Sequence, residues 1–237
     1  AGQQVVQVGY EKQWFFRITQ YAEELLKFDN LEWPSKTMMM QKNWIGKSEG
    51  ANISFSIDSS SEKIEIFTTR PDTIFGATYI VVSPEHALVE KLNLKSNNDI
   101  KDYCYNANKK SELQRTDLEK DKSGIYSGYK AINPVNNQSI PIWIGDYVLA
   151  TYGTGAVMAV PGHDQRDFEF AKKYELHIQK VVDDGNDISI DKEAFTNNGI
   201  SVNSVFLNGL NTNKSKNKII EYLVNNNVGN KRTTFKL

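Results

Sequence analysis

Two short segments hold most of the side chains able to do chemistry. The first is Thr68-Thr69-Arg70-Pro71-Asp72-Thr73, with three hydroxyls in six residues beside a proline that fixes the local backbone. Such a cluster can orient water or a polar substrate by hydrogen bonds. It can equally cap a turn, because Thr beside Pro does so routinely. The second runs from Gly153-Thr154-Gly155 through Ala156-Val157-Met158-Ala159-Val160 to Pro161-Gly162-His163-Asp164-Gln165-Arg166-Asp167. Its acids stand where a helix should begin. Carboxylates there suit the positive end of the helix dipole, so Asp164 reads as an N-cap and Asp167 as a first-turn acid. His163 is a potential general base without an evident orienting partner, and packing or hydrogen bonding is its other reading. The Gly-Thr-Gly turn lacks the Lys-Ser/Thr of a phosphate loop and the serine of a nucleophile elbow.

These segments need elements to hold them. Ile53, Phe55 and Ile57 alternate with polar residues, Asp58–Ser61 supply turn chemistry, and Ile64 and Ile66 alternate again, which predicts a hairpin over 51–68. Further strands are predicted at 78–82, 125–132, 140–144, 146–150 and 156–160, divided by Gly and Pro. Helical periodicity appears at 13–27, where Trp14, Ile18, Tyr21 and Leu25 share a face and Pro34 closes the region, and again at 85–92, 100–109 and after His163. Asn and Lys clusters at 93–98, 106–110 and 211–218 read as solvated surface or loops. The predicted class is α+β, a barrel-like, mostly antiparallel β core with peripheral helices.

Composition narrows the options. With 39% hydrophobic and 24% charged residues, and 11 each of Phe and Tyr, the chain is too apolar to stay disordered. Its single cysteine, Cys104, excludes an internal disulfide, and three scattered histidines offer no metal-ligand spacing. No metal is expected. A net charge of -1 lacks the basic footprint of a protein that grips nucleic acid unaided. There is no apolar run of about 18 residues and no leader pattern, so a soluble, cytoplasmic protein without membrane contact is expected.

Taken together, the two chemical segments resemble the threonine-rich and aspartate-bearing motifs of the editing insert in class I synthetases for leucine, isoleucine and valine. The string Met158-Ala159-Val160-Pro161-Gly162-His163-Asp164-Gln165-Arg166-Asp167 is most similar to the bacterial-type leucine enzyme family. Gln13-Trp14-Phe15-Phe16-Arg17-Ile18-Thr19 and Gln41-Lys42-Asn43-Trp44-Ile45-Gly46-Lys47-Ser48-Glu49-Gly50 resemble the linker joining that insert to its catalytic body. Residues 1–12 and 95–122 match nothing in the pattern, and Ala150-Thr151 stands where the family often has an acid. The signatures that handle ATP in that family are not found, so the aminoacylation site, with its ATP and Mg, is expected outside this chain.

The resemblance implies a linker over 1–50, an editing domain over 51–228 and a return linker over 229–237. It implies hydrolysis of the ester of mischarged leucine tRNA carrying norvaline, isoleucine or methionine, with leucine spared. Such a second sieve is needed because one methylene is worth only about 1–3 kcal/mol of discrimination in an apolar pocket. On this reading Thr73 is a steric gate, and Asp167 holds the substrate ammonium. Thr68 and Thr69 sit near the ester, where their hydroxyls or neighbouring backbone donors position water and steady the oxyanion. Tyr152, Met158 and Val160 line the amino-acid and adenosine pocket, Arg70 meets the RNA backbone, and His163, Asp164 and Arg166 either support the contacting residues from behind or touch the ribose. No cofactor and no protein nucleophile are implied. The expected partners are the 3′ end of mischarged leucine tRNA and the rest of the synthetase in cis, with the isolated domain a monomer. The rival readings are an isoleucine or valine editing domain, a non-catalytic module that binds the tRNA end, and an inactive structural insert.

Overall fold

A computed structural model describes residues 12–111, 114–115, 122–151, 153–185 and 192–237. The described residues divide into two compact units, one within Ala1–Ser48 and Thr234–Leu237, the other within Glu49–Thr233.

The smaller unit holds two 3-10 turns, Ile18–Tyr21 and Glu24–Leu26, and helix α1, Ser35–Ile45. The amphipathic helix expected over 13–27 is therefore replaced by two short turns. Within this unit Trp14, Phe15 and Phe16 are almost fully exposed, and a helix this short gains little without an apolar face to bury. Pro34 opens α1 rather than merely closing what precedes it, as its fixed φ suits a helix start. Gly46 ends α1 in the left-handed region, and Ile45 O accepts from the Lys236 N–H, tying the end of the chain to this unit.

The larger unit is built on one mixed sheet. Its strands are β1 Ser48–Ile57, β2 Lys63–Thr68, β3 Tyr79–Val82, β4 Gly124–Ile132, β5 Ser139–Gly145 and β6 Ala156–Ala159, in the order β2-β1-β4-β5-β3-β6, with β9 Gly229–Thr234 also on β1. A separate pair joins β7 Val182–Asp183 to β8 Ile200–Ser201. Along this order β2–β1, β1–β4, β4–β5 and β3–β6 pair antiparallel, and β3 pairs β5 in parallel. The edge strands β2 and β6 pack together without forming a ladder. The sheet thus curls into a barrel that hydrogen bonds leave open at one seam, and that seam carries the site.

Residues 229–234, expected as return linker, form a strand of this sheet. The strand predicted over 146–150 is a loop, because Gly145 ends β5 and Asp146 turns the chain away from the ladder. The cluster at 211–218 begins helix α5, Thr212–Asn225, capped by Asn211, with Ile219 and Leu223 turned into the core. Its polar face carried a loop-like composition, and only the apolar pair signals the helix.

The run Tyr79-Ile80-Val81-Val82 is buried on both faces. Ile80 and Val82 enter the main core with Ile53, Phe55, Ile66 and Ile142, while Tyr79 and Val81 meet Ala159 and Phe170 in a second cluster. Phe170 comes from helix α4, Gln165–Lys173, which covers the outer face. The remaining helices are α2, Ala87–Lys91, and α3, Asn98–Asn108.

Candidate functional site

The two segments, some ninety residues apart, meet at the open seam. β2 ends at Thr68, and the chain turns into a fully buried 3-10 segment, Pro71–Gly76, which packs under α5. β6 ends at Ala159 and the Pro161-Gly162 turn delivers α4. Between them lies a cavity of about 420 Å³. It is lined by Thr68, Thr69, Arg70 and Thr73 from one side and by Met158, Val160, His163, Asp164, Arg166 and Asp167 from the other. All the residues singled out in the sequence therefore border one cavity, apart from Tyr152, which lies outside the described residues.

The threonine side is held by local hydrogen bonds. Thr68 Oγ1 accepts from the Arg70 N–H at 3.1 Å, and Thr73 Oγ1 donates to the Arg70 carbonyl at 2.9 Å. With its hydroxyl so engaged, the β-branched Thr73 side chain is fixed in rotamer and only 1% exposed, a rigid stop on the cavity wall. Arg70 Nε and Nη2 grip the fully buried Asp72 carboxylate at 2.9–3.2 Å. A contact from Arg70 to an RNA backbone would have to use its Nη1 edge, which reaches the Thr196 carbonyl at 3.5 Å. Gly50 lets β1 approach: a Cβ there would lie 2.0 Å from the Thr68 carbonyl oxygen. Any side chain at 50 must push the threonine end aside.

The aspartate side depends on tertiary packing. Asp164 caps α4, accepting from the Arg166 and Asp167 N–H groups at 2.9 and 3.2 Å, and pairs with the Arg166 guanidinium. Asp167 is 8% exposed, and its Oδ2 accepts from the Val160 N–H at 2.8 Å. Tyr79 donates its hydroxyl to the Asp167 backbone carbonyl at 2.9 Å, stacked on Phe170. Burial, and then the neighbouring Asp164 charge, raise the Asp167 carboxyl to about 8, against the lowering influence of the Val160 N–H and Arg166. Desolvation outweighs both, which favours the protonated form of this carboxyl. A ligand cation would reverse that balance by restoring a partner to the charged form.

His163 lines the cavity with no nitrogen to spare. The Phe195 carbonyl 2.7 Å from Nδ1 can only accept, so Nδ1 carries the proton, while Nε2 accepts from the Val181 and Val182 N–H groups at 2.8 and 3.0 Å. Burial lowers its pKa to about 4. It is a neutral cross-brace, and the general-base reading loses the lone pair it needs. Met158 and Val160 are 8% and 5% exposed, an apolar floor suited to an aliphatic side chain.

The cavity also includes Phe67, Tyr147, Val148, Leu149 and Val157, which the sequence did not single out. Phe67 and Val157 adjoin motif residues, but strand alternation turns neighbours to opposite faces, so the pattern does not mark them. Tyr147, Val148 and Leu149 lie in the loop misread as a strand, and nothing local marks them. Among the described residues no group of three or more potential metal ligands occurs, and no helix is long and apolar enough to cross a membrane.

Residues 42–224 match the family described as "Leucyl-tRNA synthetase, editing domain". The chain is 53% identical over 231 residues to leucine–tRNA ligase of Borrelia turicatae (strain 91E135), an alignment covering 95% of this chain and 27% of that protein. It is 51% identical over 229 residues to the same ligase of Borrelia hermsii (strain HS1 / DAH), with the same coverage. The chain thus spans about a quarter of the length of these relatives. The structure superposes with a TM-score of 0.74 on the LeuRS of Agrobacterium radiobacter K84, solved in a ternary complex with tRNA and LeuAMS. That match is 32% identical and covers 95% of this chain and 25% of that one.

Proposed function

Since the chain belongs to the leucyl-tRNA synthetase editing-domain family, we infer that its seam cavity hydrolyses the ester between a wrong amino acid and the 3′-terminal ribose of leucine tRNA. Norvaline, isoleucine and methionine are the amino acids it removes, and leucine is spared. The observation that carries this reading is the convergence of a buried carboxyl, a fixed steric stop and threonine hydroxyls on one cavity.

In this mechanism the substrate ammonium pairs with Asp167 and drives it to the charged form, a charge-assisted contact that orients the ester. The aliphatic side chain lies over Met158 and Val160. An unbranched or β-branched chain clears Thr73, and the γ-branch of leucine meets it. Water adds to the ester carbonyl, and the developing oxyanion is met by donors at Thr68 and Thr69. Thr68 retains its proton for donation, because its oxygen accepts from Arg70, and the Thr69 hydroxyl has no hydrogen bond among the described residues. Collapse releases the free amino acid and the ribose hydroxyl. Asp164 and Arg166 border the ribose side. No side chain becomes acylated and the domain uses no cofactor, the ATP and Mg of the parent reaction belonging to the catalytic body in cis. The near-neutral charge favours weak tRNA binding by the domain alone, as a monomer in the cytoplasm, with most phosphate contacts made by that body.

The test is deacylation of leucine tRNA charged with isoleucine or norvaline, at high protein concentration and low salt. Release of the wrong amino acid with the leucine ester intact is expected. Binding of the acylated end with no hydrolysis under any condition would replace this reading with that of a binding module.

A further inference from the structure

Arg115 lies in the stretch 95–122, which the sequence motifs left unassigned and which the family match over 42–224 includes, and it does not touch the cavity. Yet its side chain is only 6% exposed, which is rare for a guanidinium unless every donor is used. The acceptors are specific. Nε donates to the Asp146 carbonyl at 2.6 Å and Nη2 to the Val148 carbonyl at 2.8 Å, while Nη1 and Nη2 hold the Glu85 carboxylate at 2.5 and 3.3 Å.

The two carbonyls flank Tyr147, which lines the cavity beside Val148 and Leu149. This loop has left the sheet, so no neighbouring strand satisfies those oxygens. The same segment holds the loop at two more points: the Asp146 N–H donates to Tyr103 Oη at 2.9 Å, and Lys110 Nζ reaches Asp146 Oδ2 at 2.5 Å. Tyr147 in turn packs on Phe170, ring centroids 5.6 Å apart, and Phe170 lies on the helix that carries Asp167. A buried fork on the backbone either side of a pocket tyrosine constrains where that ring can lie far more tightly than apolar packing does.

We propose that Arg115 is a positioning residue of the site: by binding the carbonyls on both sides of Tyr147 it fixes that side chain, with Val148 and Leu149, in the cavity wall shared with Asp167. Its catalytic consequence rests on the hydrolytic reading above. Arg115 then acts as a brace for the substrate wall.

The experiment compares the whole 237-residue chain with Arg115→Met, Arg115→Lys, Tyr147→Ala and the Arg115→Met/Tyr147→Ala pair, by deacylation of isoleucine-charged leucine tRNA and by amide hydrogen exchange. Arg115→Met should lower kcat by about 10-fold, since small misplacements of a positioning shell cost this much or more. Arg115→Lys, with one donor group in place of a fork, should recover part of it. The double variant should be no slower than Tyr147→Ala alone, because a residue acting through another loses nothing further once that one is gone. Multiplying effects, or a Tyr147→Ala rate equal to wild type, would overturn the proposal. Exchange at Val148 and Leu149 should rise in Arg115→Lys and Arg115→Met; unchanged exchange overturns the proposal too, and Arg115→Lys decides if the methionine variant does not fold. A wild-type chain without hydrolysis sinks the reading of the site, and exchange then decides the positioning role by itself.

Discussion

The two walls of the cavity are built differently. On the threonine wall nearly every constraint is local: Thr68 to Arg70, Thr73 to Arg70 and Arg70 to Asp72 all lie within three residues of sequence. On the opposite wall the constraints come from afar. Tyr79 lies 88 residues from the carbonyl it binds at Asp167, and Arg115 reaches across about thirty residues to Glu85 and the Tyr147 loop. A locally held wall suits a fixed shape, as a steric gate requires. A wall assembled from remote parts can be desolvated, and that is where a carboxyl is pushed to about 8. On the proposed reading, shape selection and charge recognition fall to the halves best able to provide them.

The largest expected effect removes the charge and keeps the shape. Asp167→Asn preserves an acceptor for the Val160 N–H but cannot pair with an ammonium; hydrolysis of isoleucine-charged leucine tRNA should fall by about 100-fold or more, measured as initial rates. Retained activity would show that the remote wall contributes shape alone. Next, Thr73→Ala removes the fixed stop, and the leucine ester should become a substrate, its rate rising by about 10- to 200-fold, the range one methyl-sized contact can discriminate. If leucine is still spared, the gate lies elsewhere.

Stability against pH tests the electrostatic half without any substrate. Asp167 has a folded pKa of about 8 against 3.8 as its ordinary value, so between them the native state holds a proton that the unfolded chain does not. Stability from this group is complete below the unfolded value and is lost as pH rises through the folded one. His163, lowered to about 4 from 6.5, acts oppositely: unfolding takes up a proton between those values, so its contribution grows as pH rises to 6.5 and levels off above. From pH 6.5 to 8 the Asp167 slope outweighs the remaining histidine contributions, of His163 and of His86, whose pKa burial also lowers, leaving a net loss on the order of 1 kcal/mol. Denaturant unfolding at the two pH values should show it in wild type and not in Asp167→Asn. The smallest effect concerns the neighbouring acid: Asp164→Ala removes the cap of α4 and should cost about 1 kcal/mol of stability, with a smaller loss of hydrolysis than Asp167→Asn. Equal losses would mean that the two carboxyls act as one site.

The sequence by itself determined the hairpin that ends at Thr68, the short strands 79–82 and 139–145, the start of α4 and the two motifs, because alternation, turn chemistry and capping act over a few residues. It misjudged 13–27, where periodicity promised a helix with no face to bury in its own unit, and 146–150, where a β-prone string is held by an arginine instead of a strand. Asp164 and Asp167, three residues apart, read alike as helix-start acids. Only the tertiary structure makes one a half-buried cap and the other a buried acid, since desolvation depends on Tyr79 and Val160 arriving from outside the helix. The open seam, too, is a property of how the sheet curls, and no local pattern encodes that two edges will meet without pairing.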